Sequence, residues 1–194
     1  MESARAIRDE LTEVSRLFLA FAEGQSESIA RAAELCAAAL RRDGRILLCG
    51  NGGSAADAQH LAAELVGRYQ RERRALAAIA LTTDTSVLTS VANDYDFDSV
   101  FARQVEGLGR KGDVLIGIST SGNSRNVLRA MACAKELGLK TIAFTGGSGG
   151  ESARLADVAI IAPSSVTCHI QEMHIAAGHQ ICGLVEAALA ADGE

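Results

Sequence analysis

The chain has 194 residues, of which 48% are hydrophobic and only 4% aromatic, and its formal net charge is −5. That length suits one domain with a real core, expected here over residues 1–194. The acidic balance argues against nucleic acid as a partner, and no apolar run is long and uninterrupted enough to cross a membrane.

The opening Met1-Glu2-Ser3-Ala4-Arg5 carries an acid early and lacks the apolar core of a signal peptide, so a cytoplasmic protein is expected. Residues 3–22 place Ala6, Ile7, Leu11, Val14, Leu17, Phe18 and Phe21 at helical spacing, with Gly24 as the stop. Residues 26–41 repeat the pattern with Ile29, Ala33, Leu35, Cys36 and Leu40. The expectation is a pair of N-terminal helices spanning residues 1–42. They serve either as an arm between subunits or as a packing layer over one sheet face.

Ile46-Leu47-Leu48-Cys49 is a short apolar run, as in a strand buried on both faces. Gly50-Asn51-Gly52-Gly53-Ser54 turns the chain into a helix, where Ser54 and Asp57 fit a capping box with Asp in the place of Glu. A helix start of this kind suits a phosphate, and equally serves as a plain strand-to-helix turn. His60 and Glu64 stand four apart on one face of that helix. They read as a metal or acid/base pair, or as an ordinary surface pair. Arg71-Glu72-Arg73-Arg74 reads as a solvated turn.

A second strand is expected over Leu76–Leu81, and Thr82-Thr83-Asp84-Thr85 can cap the helix after it. Asn93-Asp94-Tyr95-Asp96 breaks that helix, and residues 97–109 give another. The remaining strands are expected at 114–118, 141–144 and 158–161, the last stopped by Pro163, the single proline. Between them lie a helix over 125–137 closed by Gly138 and a glycine-rich loop at 146–150. A long helix from about 167 to 190 follows. Alternating strands and helices predict an α/β fold, a doubly wound five-stranded parallel sheet with its ligand site beyond the C-terminal strand ends.

Ser119, Thr120, Ser121 and Ser124 place four hydroxyls within six residues at a helix start. Hydroxyls and backbone N–H groups hold a phosphate without lysine, and a polar capped loop is the plainer alternative. The last helix carries His169, Gln171, Glu172, His174 and His179 among apolar residues, which fits packing or interface histidines as well as ligands. There are five cysteines and no C-x-x-C pair; Cys36, Cys49, Cys133 and Cys182 sit among small apolar residues and read as buried reduced thiols.

Taken together, Gly50–Ser54 with His60 and Glu64, Asn93-Asp94, Gly117–Ser124, and Ile170-Gln171-Glu172 with His179 resemble the phosphoheptose isomerases of the sugar-isomerase (SIS) family over essentially the whole chain. The resemblance implies conversion of sedoheptulose 7-phosphate to D-glycero-D-manno-heptose 7-phosphate, the first step towards nucleotide-activated heptose for bacterial surface glycans. It also implies a homotetramer with shared active sites, and zinc. By position, His60, Glu64, Gln171 and His179 resemble the metal ligands, and Glu64 and His179 the acid/base pair. Asn51, Gly52, Gly53, Ser54, Glu64, Asn93, Asp94, Ser119, Thr120, Ser121, Ser124 and Gln171 resemble the substrate contacts. Some members carry Asp where this chain has Cys168, so no role passes to that position. The non-catalytic alternative is a binding module resembling the DnaA initiator-associating protein, which lacks the residues matching Glu64 and His179. Gln171 and His179 are eight residues apart, about 12 Å along a helix. A second helix, and with it a second subunit, is therefore expected to complete a metal site.

Overall fold

A computed structural model describes residues 2–191; Met1 and residues 192–194 of the 1–194 span lie outside them. Five parallel strands form the sheet: β1 (Ile46–Gly50), β2 (Ala78–Ala80), β3 (Val114–Ile118), β4 (Lys140–Gly146) and β5 (Val158–Ala162). Their order is β2-β1-β3-β4-β5. β1 and β3 pair along their full length, from Ile46 with Val114 to Gly50 with Ile118. The chain leaves β1 towards β2 on one side and returns to β3 on the other. The crevice that opens at such a reversal is where doubly wound sheets bind ligands, and the loops after β1 and β3 flank it.

The helices are α1 (Glu2–Leu40), α2 (Gly53–Val66), α3 (Thr85–Asp94), α4 (Ala102–Leu108), α5 (Arg125–Glu136), α6 (Gly150–Leu155) and α7 (Thr167–Ala190). Strand alternation splits the core in two. Ile46, Leu48, Ile116, Ile118 and Phe144 face the layer of α1, α2 and α7. Leu47, Cys49, Leu115 and Ala143 face the opposite layer, with Val105 of α4 and Val127 and Met131 of α5. β1 and β3 are buried throughout, as their unbroken apolar runs require.

Several elements depart from the sequence reading. The expected N-terminal pair is one 39-residue helix, α1. Gly24 does not stop it, because a mid-helix glycine costs only about 1 kcal/mol and amphipathic segments on both sides outweigh that. Just past Gly24, Gln25 Oε1 accepts the Ile161 N–H at 3.0 Å and so covers the outer edge of β5. The capping box at Ser54 is absent. α2 starts two residues earlier than a Ser54 cap would place it, after Gly52 at φ +56°, and Ser54 is buried inside its first turn. β2 is shorter than expected and lies at the sheet edge with Ile79 exposed; Leu76 N–H bonds Leu65 O of α2 instead of a strand. Residues 97–109 divide into a 3-10 turn, Phe97–Ser99, and α4. The loop at 146–150 leads directly into the short α6, which the glycines concealed.

Other expectations hold. Asp84 caps α3, its side chain accepting Val87 N–H at 2.9 Å. α5 closes at Gly138, where Leu139 N–H reaches back to Ala134 O at 2.9 Å. All five cysteines are free. Burial pushes the Cys49 thiol up to about 12, and the Cys182 thiol to about 12 with carboxylates nearby adding to the shift, so both stay protonated. Cys133 departs from its expected burial and is only half-buried, and Cys168 is exposed. No helix among the described residues is long and apolar enough to cross a membrane.

Candidate active site

α2 and α7 run side by side in the same direction, both starting at the C-terminal edge of the sheet. Their parallel register follows from three contacts. A Cβ on Gly53 would run into the Gln171 amide, a Cβ on Gly178 would meet Leu61 at 2.5 Å, and His60 faces His179. Gly178 thus lets the two helices approach closely enough for their histidines to meet.

At that meeting point His60 Nε2 lies 3.0 Å from His179 Nε2 and 3.3 Å from Glu64 Oε1. Ligand atoms of His60, Glu64 and His179 all fall within 4.8 Å of one another. Two imidazole nitrogens and a carboxylate oxygen form a donor set suited to a divalent transition metal. Metal–nitrogen bonds of about 2.0–2.1 Å in a tetrahedron separate neighbouring donors by about 3.3 Å, close to the two distances measured from His60. The group is therefore competent to hold such an ion. The second helix expected for the site is α2 of the same chain. Gln171 stands apart from this group, at the level of Gly53, which is seven residues or about 10 Å of helix before His60.

The surroundings of the group are polar and open. His60 is exposed and its side chain retains 49% of its accessible surface, against 25% for Glu64. Asp57, one turn before His60, has its carboxyl raised by burial while the His60 charge pulls the other way, and its Oδ2 is buried without a hydrogen-bond partner. The tyrosine three residues beyond α2 lies against His179: the two ring centroids are 5.4 Å apart and the planes 17° apart.

On the other side of the crevice, the loop after β3 folds its hydroxyls inward. Ser119 is buried, and its Oγ lies 2.8 Å from Ser124 Oγ and 3.4 Å from Ser121 Oγ. Ser124 precedes α5 without capping it by its side chain, so its hydroxyl is engaged with the loop. Thr120 is half-buried and Ser121 exposed. Asn51 in the β1 turn is paired with Asn126 at the start of α5, each Nδ2 donating to the other's Oδ1 at 2.9 Å. That pair fastens the two loops across the crevice. Asn126 is buried, and sequence reading passed over it as one more polar residue after a serine-rich loop. Gly52 and Gly53 are exposed at the head of α2. Asn93 and Asp94 close α3, exposed, with Asn93 Nδ2 donating to Asp94 Oδ1 at 2.9 Å. Arg125 and Arg129 of α5 pair with Asp98 and Asp96, which ties the segment after α3 to the helix that carries the loop.

The remaining histidines of α7 are structural. His169 Nε2 meets Glu10 Oε1 of α1 at 2.7 Å, and His174 is buried with Nε2 3.0 Å from Thr145 O.

The SIS domain family matches residues 11–146. A phosphoheptose isomerase from Nitratiruptor sp. is 58% identical over 180 residues, covering 93% of this chain and 96% of the relative. The chain belongs to the phosphoheptose isomerase family of SIS-domain proteins. Among solved structures, the phosphoheptose isomerase of Neisseria gonorrhoeae superposes with a TM-score of 0.90 at 46% identity, covering 95% of this chain and 98% of that one. The phosphoheptose isomerase from Francisella tularensis gives 0.91 at 37% identity, with the same coverages. These two phosphoheptose isomerases thus share the fold over 95% of this chain.

Proposed function

We propose that the chain isomerises sedoheptulose 7-phosphate to D-glycero-D-manno-heptose 7-phosphate through an enediol, at the head of nucleotide-activated heptose synthesis. The observation that carries this reading is the convergence of His60, Glu64 and His179 across α2 and α7 in a chain 58% identical to a phosphoheptose isomerase. The phosphate rests on Ser119, Thr120, Ser121 and Ser124. Asn51, Gly52, Gly53, Ser54, Asn93, Asp94 and Gln171 contact the sugar. Residues 54 and 64 are about 15 Å apart along α2, a span suited to an extended seven-carbon phosphate.

Glu64 takes a proton from C1 of the open-chain ketose and returns it to C2. His179 moves the hydroxyl proton between the two oxygens, as a positioned imidazole with two ring nitrogens can. Zinc, held by His60, Glu64 and His179 with Gln171 as the fourth ligand, would polarise the substrate oxygens. Because Gln171 stands about two turns from the other three within the chain, its side chain or a neighbouring subunit's must move into place. The working unit is a homotetramer of single-domain subunits with shared active sites, in the cytoplasm, with neither nucleic acid nor membrane as partner. The binding-module reading is disfavoured by the presence of both Glu64 and His179 in contact with His60.

The test is turnover of sedoheptulose 7-phosphate, with zinc content assayed beside the rate. Glu64→Gln and His179→Gln should each lower kcat by about 10²–10⁴-fold while the fold and phosphate binding survive. Near-normal turnover in the Glu64→Gln protein removes Glu64 as the base, and no turnover by the parent protein returns weight to the binding module.

A further inference from the structure

Arg71-Glu72-Arg73-Arg74 reads as a solvated turn, yet the backbone over residues 69–71 is clamped. Glu186, buried near the end of α7, accepts the N–H groups of Tyr69 at 2.8 Å, Gln70 at 2.9 Å and Arg71 at 3.1 Å. Arg73 lies against the same carboxylate, its Nε 3.0 Å from Oε1, with both side chains almost fully buried. Its other nitrogens grip the end of α2: Nη2 donates to Glu64 O at 2.8 Å, and Nη1 to Gly67 O at 3.2 Å and Arg74 O at 2.9 Å. Burial alone would raise the Glu186 carboxyl, but the three N–H groups and Arg73 hold it below its usual value.

A buried ion pair is a poor way to gain stability, because desolvation offsets most of the attraction. What this one supplies is a fixed backbone path. It joins the carbonyl of Glu64, the loop and α7 in one unit, and the product of that path is the placement of one ring. Tyr69 lies over the His179 imidazole in an offset stack, centroids 5.4 Å apart and planes within 17°. The ring also packs beside Gly183, one turn beyond His179, where a Cβ would stand 3.4 Å from Tyr69 Cε1, in ordinary contact. The His60 ring meets the same imidazole at 5.1 Å and 56°. Without a flat neighbour, an imidazole on an exposed helix face turns about its χ2, a broad torsion. With one, its plane is set and Nε2 stays directed at His60.

We propose that Tyr69 is a positioning residue that fixes the plane of the His179 ring, and that the Glu186–Arg73 pair holds Tyr69 in place for this purpose. The proposal rests on the reading of His179 as a proton-transfer group. Tyr69 touches neither substrate nor metal in this scheme; it acts through His179.

Three variants of the full chain separate positioning from packing. Tyr69→Phe keeps the flat ring, Tyr69→Leu keeps apolar bulk against Gly183 without a plane, and Tyr69→Ala removes both. Histidine ring 15N–1H signals, recorded after metal is stripped with a chelator, report the ring directly; kcat and KM for sedoheptulose 7-phosphate report its consequence. Tyr69→Phe should match the parent in both. Tyr69→Leu and Tyr69→Ala should broaden or split the His179 signals and lower kcat about 10-fold, with KM held within about twofold. A Tyr69→Leu protein whose His179 signals match those of Tyr69→Phe overturns the proposal whatever its turnover. If the ring signals follow the expected order while even the parent leaves the sugar unchanged, the positioning stands and the isomerase reading falls.

Discussion

His174 shows how differently two histidines of one helix can be used. It is fully buried, Nε2 donates to Thr145 O, and Nδ1 has no partner, the pattern of a neutral imidazole. Burial pushes its pKa down to about 4, against a smaller upward pull from the Thr145 bond. The unfolded chain, near 6.5, therefore binds the proton first as pH falls. Stability should be level above pH 6.5 and decline between 6.5 and about 4, by about 3 kcal/mol for this group if it titrates alone. Urea unfolding across that range checks it, and His174→Gln should flatten the decline. Neighbouring His179 has the opposite setting, half-exposed beside His60 and Tyr69. Spacing and composition mark both as histidines in an apolar helix and do not rank them; only the family resemblance singles out His179. What separates them is the partner each meets, His60 119 residues away for one and Thr145 29 residues away for the other. Glu186 is a stronger case: its three N–H donors lie 115–117 residues upstream, and no local pattern announces them.

At the scale of elements, legibility followed burial. β1 and β3 are inside on both faces, so their apolar runs have no other interpretation. The edge strand β2 has fewer neighbours, and its ends were misjudged. At Gly24 local propensity points to a stop, but the amphipathic segments on both sides outweigh it. In the structure Gly24 is exposed, with no atom within 4 Å of where a Cβ would sit. Gly24→Ala should therefore stabilise α1 by about 0.5–1 kcal/mol, seen as a melting temperature raised by about 2 °C; a lower melting temperature would mean that the glycine serves a contact outside this chain. The loop after β3 is a different kind of element, marked in the sequence by its hydroxyls, which the fold gathers together. Ser119 and Ser124 bond each other there, and a phosphate would draw both hydroxyls to itself. Each lost hydrogen bond to a charged group costs about 1.5–3 kcal/mol, so Ser119→Ala with Ser124→Ala should raise KM at least 100-fold. An unchanged KM in the double variant would place the phosphate elsewhere.

For the whole molecule, the unexplained feature is the first half of α1. No side chain from Glu2 to Ala20 is buried, while Ile7, Leu11 and Leu19 keep 61–65% of their surface exposed. Nineteen residues make about 28 Å of helix, and a helix of that length with little packing is marginal in water. Within the chain it is steadied by Glu10 against His169 and by half-buried Val14, Leu17 and Phe18. The remaining apolar face fits the homotetramer proposed above, with the arm packed on a second copy. The active-site surface points the same way: His60, Gly52, Gly53 and Ser121 are all exposed, and a site meant to exclude water around an enediol needs a cover the isolated chain does not provide. Ile7→Glu combined with Leu11→Glu places two charges on the arm without touching His60, Glu64 or His179. The double variant should keep its helix content by circular dichroism, lose mass by light scattering towards the monomer, and lose most of its turnover. A variant that dissociates yet turns over at the parent's rate would show that each chain carries a complete site. One that remains a tetramer would move the subunit contact off this arm.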